Sequence, residues 1–127
     1  ADRLGNTLIT GPDPYFDHLF ARAADACYVS AERVEERFAL DAAAARGNTF
    51  ERNLVSGVVE APCGAHPTSC PSDYGWDIDH FKRYAASATG ADGWQAYMDT
   101  YVAPGEAGYQ ARNGGIERMA GLPLPVF

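Results

Sequence analysis

The sequence predicts an α/β fold in which a sheet region with flanking helices precedes a helical C-terminal segment. Two observations predict this class. Runs of β-type residues alternate with helical runs up to Glu60, which is the succession of a βαβ unit in a parallel or mixed sheet. From Trp76 onward, apolar residues recur at helical spacing to near the end of the chain. Three predicted strands make a thin sheet, so we expect further strands to complete it.

The elements of the sheet region follow from composition and periodicity. The first helix places Phe16, Leu19 and Phe20 on one face, and the strand after it alternates through Cys27 and Val29. We predict strands at 4–10, 26–34 and 53–61, and helices at 14–25 and 38–46.

The second half of the chain is predicted to be helical. The predicted helices span 77–88, 91–102 and 106–121. Trp94, Tyr97 and Tyr101 recur at helical spacing, and we interpret this aromatic stripe as core packing and not as a ligand-binding surface. We expect residues 1–75 to form a partial α/β sheet region and residues 76–127 a helical segment, both within one larger domain.

Charge and composition exclude several classes of function. The chain has 127 residues and a net charge of −7, and its ten basic residues include one lysine, Lys82. A nucleic-acid-binding surface needs clustered basic side chains, so we exclude that class. No apolar run approaches the ~20 residues that cross a bilayer, so we expect no membrane contact. Three cysteines and the absence of a signal-peptide pattern favour a cytoplasmic protein. Because β-type sequence follows Ala1 so closely, we expect a piece of a longer protein.

A proline-rich loop at 61–71, "APCGAHPTSCP", contains residue types that bind metals or take part in catalysis. Cys63, His66 and Cys70 offer three ligands, whereas closed zinc sites use four. The two cysteines are near enough in sequence to form a disulfide, but a reducing compartment favours thiols. A Cys–His pair here lacks an identifiable group to orient the base. The interpretation favoured for this loop is therefore neither a metal site, a disulfide nor a nucleophile.

The end of the third predicted strand is the best position for a functional loop. Glu60 lies where α/β proteins place functional side chains, either as a loop anchor or as a general base. Prolines and a glycine then fix the backbone over the next residues. We predict a loop that contacts substrate or a partner subunit. Its residues are Glu60, Gly64, Ala65, His66 and Pro67.

Several motifs, in order, resemble the coenzyme A-transferases. "ADRLGNTLITGPDPYFDHLFARAADACYVSAERV" and "VVEAPCGAHPTSCPSDYGWDIDHFKRYAASA" are similar to the second half of the alpha subunit of class I enzymes of the glutaconate/3-oxoacid type. "GWQAYMDTYV" also fits that subunit, whereas 38–56 matches more loosely. The resemblance includes the steroid-ring-degrading hydrolases that share the fold.

The resemblance implies a mostly parallel CoA-transferase-like sheet and a hetero-oligomeric enzyme of acyl-CoA metabolism. In such enzymes the catalytic glutamate lies on a beta-type subunit, or an acidic residue lies in the other half of the alpha subunit. We therefore expect no catalytic residue in this chain, no cofactor besides coenzyme A as substrate, and no metal. The expected partners are a beta-type subunit, the N-terminal half of the alpha subunit and an acyl-CoA.

Three functions remain open from the sequence. The first expectation is transfer of coenzyme A between an acyl-CoA and a carboxylate. The second is a hydrolase that opens a ring of a steroid-derived CoA thioester. The third is a non-catalytic assembly element, since the aromatic helical segment contains no recognisable cluster of titratable residues.

Overall fold

A computed structural model of the chain describes residues 1–11, 15–37 and 52–124. Contacts divide the chain into two compact units, Ala1–Gly64 and Ala65–Phe127. The elements are α1 (Asp17–Ala23), β1 (Tyr28–Ala31), β2 (Gly57–Glu60), α2 (Ile78–Ser87), α3 (Ala91–Tyr97), α4 (Gly105–Arg112) and α5 (Gly115–Ala120). The boundary predicted at residue 75 between the sheet region and the helical segment stays a prediction. So does the expectation that both regions belong to one larger domain.

In the first unit, β1 and β2 pair in parallel. Tyr28 lies opposite Gly57 and Ala31 lies opposite Glu60, so the register is continuous over all four pairs. A parallel pair needs a crossover between its strands, and the predicted crossover helix at 38–46 lies outside the described residues. The parallel pairing and the flanking helices confirm the predicted α/β class.

All three predicted strands differ from the structure, and the strand predicted at 26–34 is limited to β1. Residues 4–10 form no continuous strand, because the buried carboxylate of Asp2 accepts hydrogen bonds from the backbone N–H groups of Leu4 and Asn6 and closes a turn. A short polar side chain bound in this way competes with strand pairing. The strand predicted at 53–61 is limited to β2, and a 3₁₀ turn at Arg52–Leu54 precedes it.

The second unit confirms the predicted helical segment. The helix predicted at 91–102 is α3 followed by a π-helical turn, Met98–Val102. The helix predicted at 106–121 is divided into α4 and α5. The division occurs at Gly114, whose φ of 85° is left-handed and therefore ends the regular helical path. In the described part of the chain, no helix combines the length and apolar character needed to span a membrane.

The segment before α2 is packed closely against the end of the chain. The backbone N–H of Gly75 donates to Leu122 O at 3.0 Å. A Cβ atom on Gly75 would lie 1.8 Å from Pro123 O, which is far inside van der Waals contact. Only glycine therefore permits this approach of two backbone segments.

We expect Gly75→Ala to destabilise the protein by about 1–3 kcal/mol, because the two segments must separate to admit the methyl group. Chemical denaturation measures the change in the free energy of unfolding. Gly90→Ala is the matched control, since a Cβ there meets nothing within 4 Å. Equal stability of the two variants would contradict the close approach.

Candidate functional site

The predicted loop residues fall in both compact units, and those of the first unit are bound to nearby backbone. Glu60 is exposed at the end of β2, and its Oε1 accepts from the N–H of Val34 at 3.1 Å. The N–H of Gly64 donates to Ala61 O at 2.9 Å. In this geometry the carboxylate of Glu60 anchors the backbone that follows β1.

The loop residues of the second unit, Ala65, His66 and Pro67, are held by side chains from farther along the chain. The N–H of Ala65 donates to the hydroxyl of Tyr74 at 2.9 Å. Pro67 O accepts from the N–H of Asp77 at 3.0 Å, and the His66–Pro67 peptide bond is cis. The imidazole of His66 is fully buried within the chain. This segment is therefore fixed through both its backbone and its histidine.

The carboxylate of Asp77 connects the loop to two helices. It caps α2, because its Oδ1 accepts from the N–H of His80 at 2.7 Å. Its Oδ2 accepts from Arg118 Nη1 of α5 at 2.7 Å and lies 3.3 Å from His66 Nε2. The side chain of Asp77 is only 2% exposed. One buried anion thus binds the loop, the start of α2 and the last helix.

The pKa values of this pair follow from burial and hydrogen bonding. Burial by itself would raise the pKa of Asp77, but the hydrogen bonds from Arg118, the His80 N–H and His66 outweigh it and hold the pKa well below its usual range. Burial lowers the pKa of His66, and it outweighs the opposing effect of Asp77. At neutral pH the pair is therefore an ionised carboxylate beside a neutral imidazole.

These charge states fix the tautomer of His66. An ionised carboxylate only accepts hydrogen bonds, so Nε2 carries the proton and donates to Asp77. Nδ1 then accepts from the hydroxyl of Tyr109, 2.7 Å away. Burial, with smaller contributions from Tyr97 and Asp77, raises the pKa of Tyr109 to about 12, so the hydroxyl keeps its proton.

A second histidine continues the network behind the first. His80 is fully buried, and its Nδ1 lies 2.8 Å from Asn113 Oδ1. Because the Asn113 amide donates through Nδ2 to Tyr109 O, its Oδ1 accepts and His80 donates. His80 Nε2 lies 2.8 Å from the Tyr97 hydroxyl, whose pKa is raised by burial. We call the following residues the buried polar cluster, of which Arg118 is the exposed member: His66, Asp77, His80, Tyr97, Tyr109, Asn113 and Arg118.

The cluster corrects the expectation that the helical segment lacks titratable groups in proximity. Of its members, only His66 was among the predicted site residues, whereas Tyr97 was predicted to pack in the core. Asp77 carries a local signal, since aspartate before a helical run favours an N-cap. Tyr109 and Arg118 carry none, because they lie 43 and 41 residues from His66 and Asp77 respectively. Their roles depend on tertiary packing alone.

The arrangement is suited to holding a backbone and not to activating a nucleophile. Both nitrogens of His66 are engaged, and its ring does not reach the surface of the chain. Cys63 is buried and Cys70 half-buried, and both are thiols. Over residues 1–11, 15–37 and 52–124, no three His, Cys, Asp or Glu side chains are grouped to hold a metal ion.

We expect the protein to become less stable as the pH falls, because His66 binds a proton more readily in the unfolded state. Folded His66 stays neutral below its usual pKa of about 6.5, whereas the unfolded state binds a proton there, so the unfolded state binds more protons as the pH falls. The free energy of unfolding, measured against pH by urea denaturation, should therefore decrease below that pH. His66→Gln should remove this part of the dependence. The loss of stability that comes from protonation of Asp77 should begin only below about pH 3.8. It should persist in His66→Gln. Parallel curves for the two proteins between pH 7 and 5 would contradict the assignment.

Comparison with known proteins gives both sequence relatives and a structural neighbour. No protein-family model matches the chain. It is 43% identical over 111 residues to the IpdA subunit of the cholesterol ring-cleaving hydrolase of Rhodococcus jostii (strain RHA1), covering 87% of this chain and 38% of that protein. Two IpdA subunits from Mycobacterium tuberculosis, strains CDC 1551 / Oshkosh and H37Rv, are 40% identical over the same length and with the same coverage. The chain therefore spans about two fifths of the length of these relatives.

The structural neighbour is glutaconate coenzyme A-transferase from Acidaminococcus fermentans. The TM-score is 0.79 with 23% sequence identity, over 98% of this chain and 39% of that chain. At this identity the likeness concerns the fold. It confirms the expected resemblance to coenzyme A-transferases, and the sequence relatives confirm that the resemblance includes the hydrolases. The chain thus has a coenzyme A-transferase-like fold and resembles, in sequence, the steroid ring-cleaving hydrolase branch of that fold.

Proposed function

We propose that this chain is part of the A-type subunit of a hydrolase that opens a ring of a steroid-derived coenzyme A thioester. The observation that carries the proposal is the 40–43% identity to three IpdA subunits of cholesterol ring-cleaving hydrolases. The transferase shares 23% identity, which supports a common fold without a common reaction. Of the functions left open by the sequence, ring opening by water therefore has the stronger support.

The second candidate is transfer of coenzyme A between an acyl-CoA and a carboxylate. The TM-score of 0.79 to a glutaconate coenzyme A-transferase favours it. Such a reaction proceeds by covalent catalysis on a carboxylate. The resemblance assigns that carboxylate to a beta-type subunit, so a chain of this kind would be catalytically incomplete by itself.

In either reaction, the role we propose for this chain is to shape the site. The engagement of both nitrogens of His66 supports this role, because it leaves the ring no free atom for proton transfer. The loop residues Glu60, Gly64, Ala65, His66 and Pro67 would form the side of the site that contacts acyl substrate or partner subunit. The proposal also includes a beta-type partner subunit and an acyl-CoA substrate. Coenzyme A takes part as substrate and there is no cofactor, and the location is cytoplasmic.

The two reactions are distinguished by their need for an acceptor. For the hydrolase, the assembled enzyme should convert a ring-containing steroid acyl-CoA without acetate or succinate. The product should be one molecule, heavier by one water and still carrying coenzyme A, because water adds across the ring bond that breaks. Mass spectrometry of the acyl-CoA species measures this outcome.

A transferase would behave differently in the same assay. Turnover would need the carboxylate acceptor and would rise with its concentration to saturation. The acceptor would appear as a new acyl-CoA. Acceptor-dependent turnover with no hydrated product would contradict the hydrolase proposal.

We expect His66→Ala to lower kcat/KM of the assembled enzyme by about tenfold or more, because a shift of the loop by 1 Å misplaces bound substrate. The substitution also leaves Asp77 and Tyr109 without one partner each, at a cost of about 1–3 kcal/mol. Steady-state kinetics and size-exclusion chromatography measure activity and assembly. His18→Ala in α1 is the matched control, since the buried His18 Nδ1 has no hydrogen-bond partner among the described residues. Unchanged kcat/KM and assembly in His66→Ala would exclude the proposed role of the loop.

A further inference from the structure

We infer that Arg118 is a positioning residue, which acts through Asp77 to set the orientation of His66 and hence of the Ala65–Pro67 backbone. The inference rests on the proposed function, since it assigns the loop a place in the active site. It extends that function to a residue on the last described helix, far from the loop in sequence.

The position of Arg118 is itself closely determined. Its Nη1 donates to Asp77 Oδ2 at 2.7 Å and to Asn113 O at 3.1 Å. Its aliphatic stem lies over Gly114, where a Cβ atom would come within 2.6 Å of Arg118 Cδ. The absence of a side chain at Gly114 thus makes room for the Arg118 side chain, which extends to Asp77. The guanidinium is held by two oxygens and by packing along its stem.

The same carboxylate oxygen transmits this position to the loop. Asp77 Oδ2 accepts from Arg118 and faces His66 Nε2 at 3.3 Å. The positive charge of Arg118 favours the ionised form of Asp77, and the ionised form only accepts hydrogen bonds. His66 must therefore donate through Nε2 and accept through Nδ1. One guanidinium thus selects the tautomer of a histidine that it does not bond to directly.

The orientation of the ring is then coupled to the backbone of the loop. The Tyr109 hydroxyl lies 2.7 Å from His66 Nδ1 and 3.3 Å from His66 O. The N–H of Asp77 also donates to Pro67 O at 3.0 Å. Displacement of Asp77 would consequently disturb the ring of His66 and the carbonyl of Pro67 together. Removal of Arg118 leaves a buried carboxylate with less compensation, which favours its protonation or displacement.

A purely structural role predicts different behaviour. The side chain of Arg118 is 43% exposed, so solvent screens the ion pair and its contribution to global stability is modest. If Arg118 acted only through stability, activity would fall in proportion to the folded fraction of the enzyme. A positioning role predicts lower activity per folded enzyme and a local change at the loop.

The first experiment compares Arg118→Met and Arg118→Lys in the assembled enzyme with Arg112→Met as the matched control. Arg112 is exposed in the last turn of α4 and lies outside the buried polar cluster. We expect kcat/KM of Arg118→Met to fall by about tenfold per folded enzyme, corresponding to about 1.4 kcal/mol of transition-state stabilisation. Arg118→Lys keeps the charge and should retain more activity than Arg118→Met. Arg112→Met should stay within about twofold of wild type.

The second experiment measures the local stability of the loop and does not depend on enzymatic activity. Hydrogen exchange of the assembled protein reports on the N–H groups of Ala65 and Asp77, which are bonded to Tyr74 and Pro67. Both should exchange faster in Arg118→Met than in wild type or Arg112→Met. If Arg118→Met fails to fold, the comparison of Arg118→Lys with wild type replaces it in both experiments.

The two readouts separate the inference from the proposed function. A wild-type enzyme that leaves the steroid thioester unchanged would exclude the proposed hydrolase, whereas the exchange rates would still test the coupling of Arg118 to the loop. Unchanged exchange at Ala65 and Asp77 in the Arg118 variants would overturn the inference. A loss of activity that only parallels the loss of folded enzyme would also overturn it. Faster exchange with unchanged kcat/KM would do the same.

Discussion

The second unit depends on one buried carboxylate. Taking an anion out of water costs several kcal/mol unless donors replace the lost hydration. Asp77 receives three such donors, from Arg118, the backbone of His80 and His66, and its own N–H binds Pro67. These partners come from separate segments, so satisfying the anion requires the segments to meet. The cost of leaving the charge unpaired is what makes the arrangement specific.

Tyrosine rings pack around His80, whose N–H the carboxylate of Asp77 binds. Tyr101 and Tyr109 pack edge-to-face or tilted against His80, with ring centroids 4.9 and 5.6 Å away, and Tyr97 packs edge-to-face at 5.9 Å. Tyrosine suits this position because its ring contributes apolar contact while its hydroxyl satisfies a buried polar atom. Tyr97 and Tyr109 each direct a hydroxyl to one histidine. Tyr97 and Tyr101 of the predicted aromatic stripe therefore pack against His80, and the hydroxyl of Tyr97 belongs to the buried polar cluster. Trp94 is 43% exposed, so the prediction of core packing is wrong for that residue.

The fold by itself does not specify a reaction. The likeness to a transferase in fold and to hydrolase subunits in sequence requires only that the backbone scaffold be shared. In this chain the members of the buried polar cluster bond to one another and to the backbone of the loop, which stabilises the loop.

The sequence by itself determined the α/β class and the helical character of the second half. These follow from periodicity and from proline and glycine placement, which act over a few residues. Local contacts also explain the failure at 4–10, where the Asp2 side chain replaced strand pairing with a turn. Only the tertiary structure decided that His66 is a buried member of a hydrogen-bonded network. Its partners Tyr109 and, through Asp77, Arg118 lie about forty residues away, and no local pattern specifies which distant donors will satisfy a buried carboxylate.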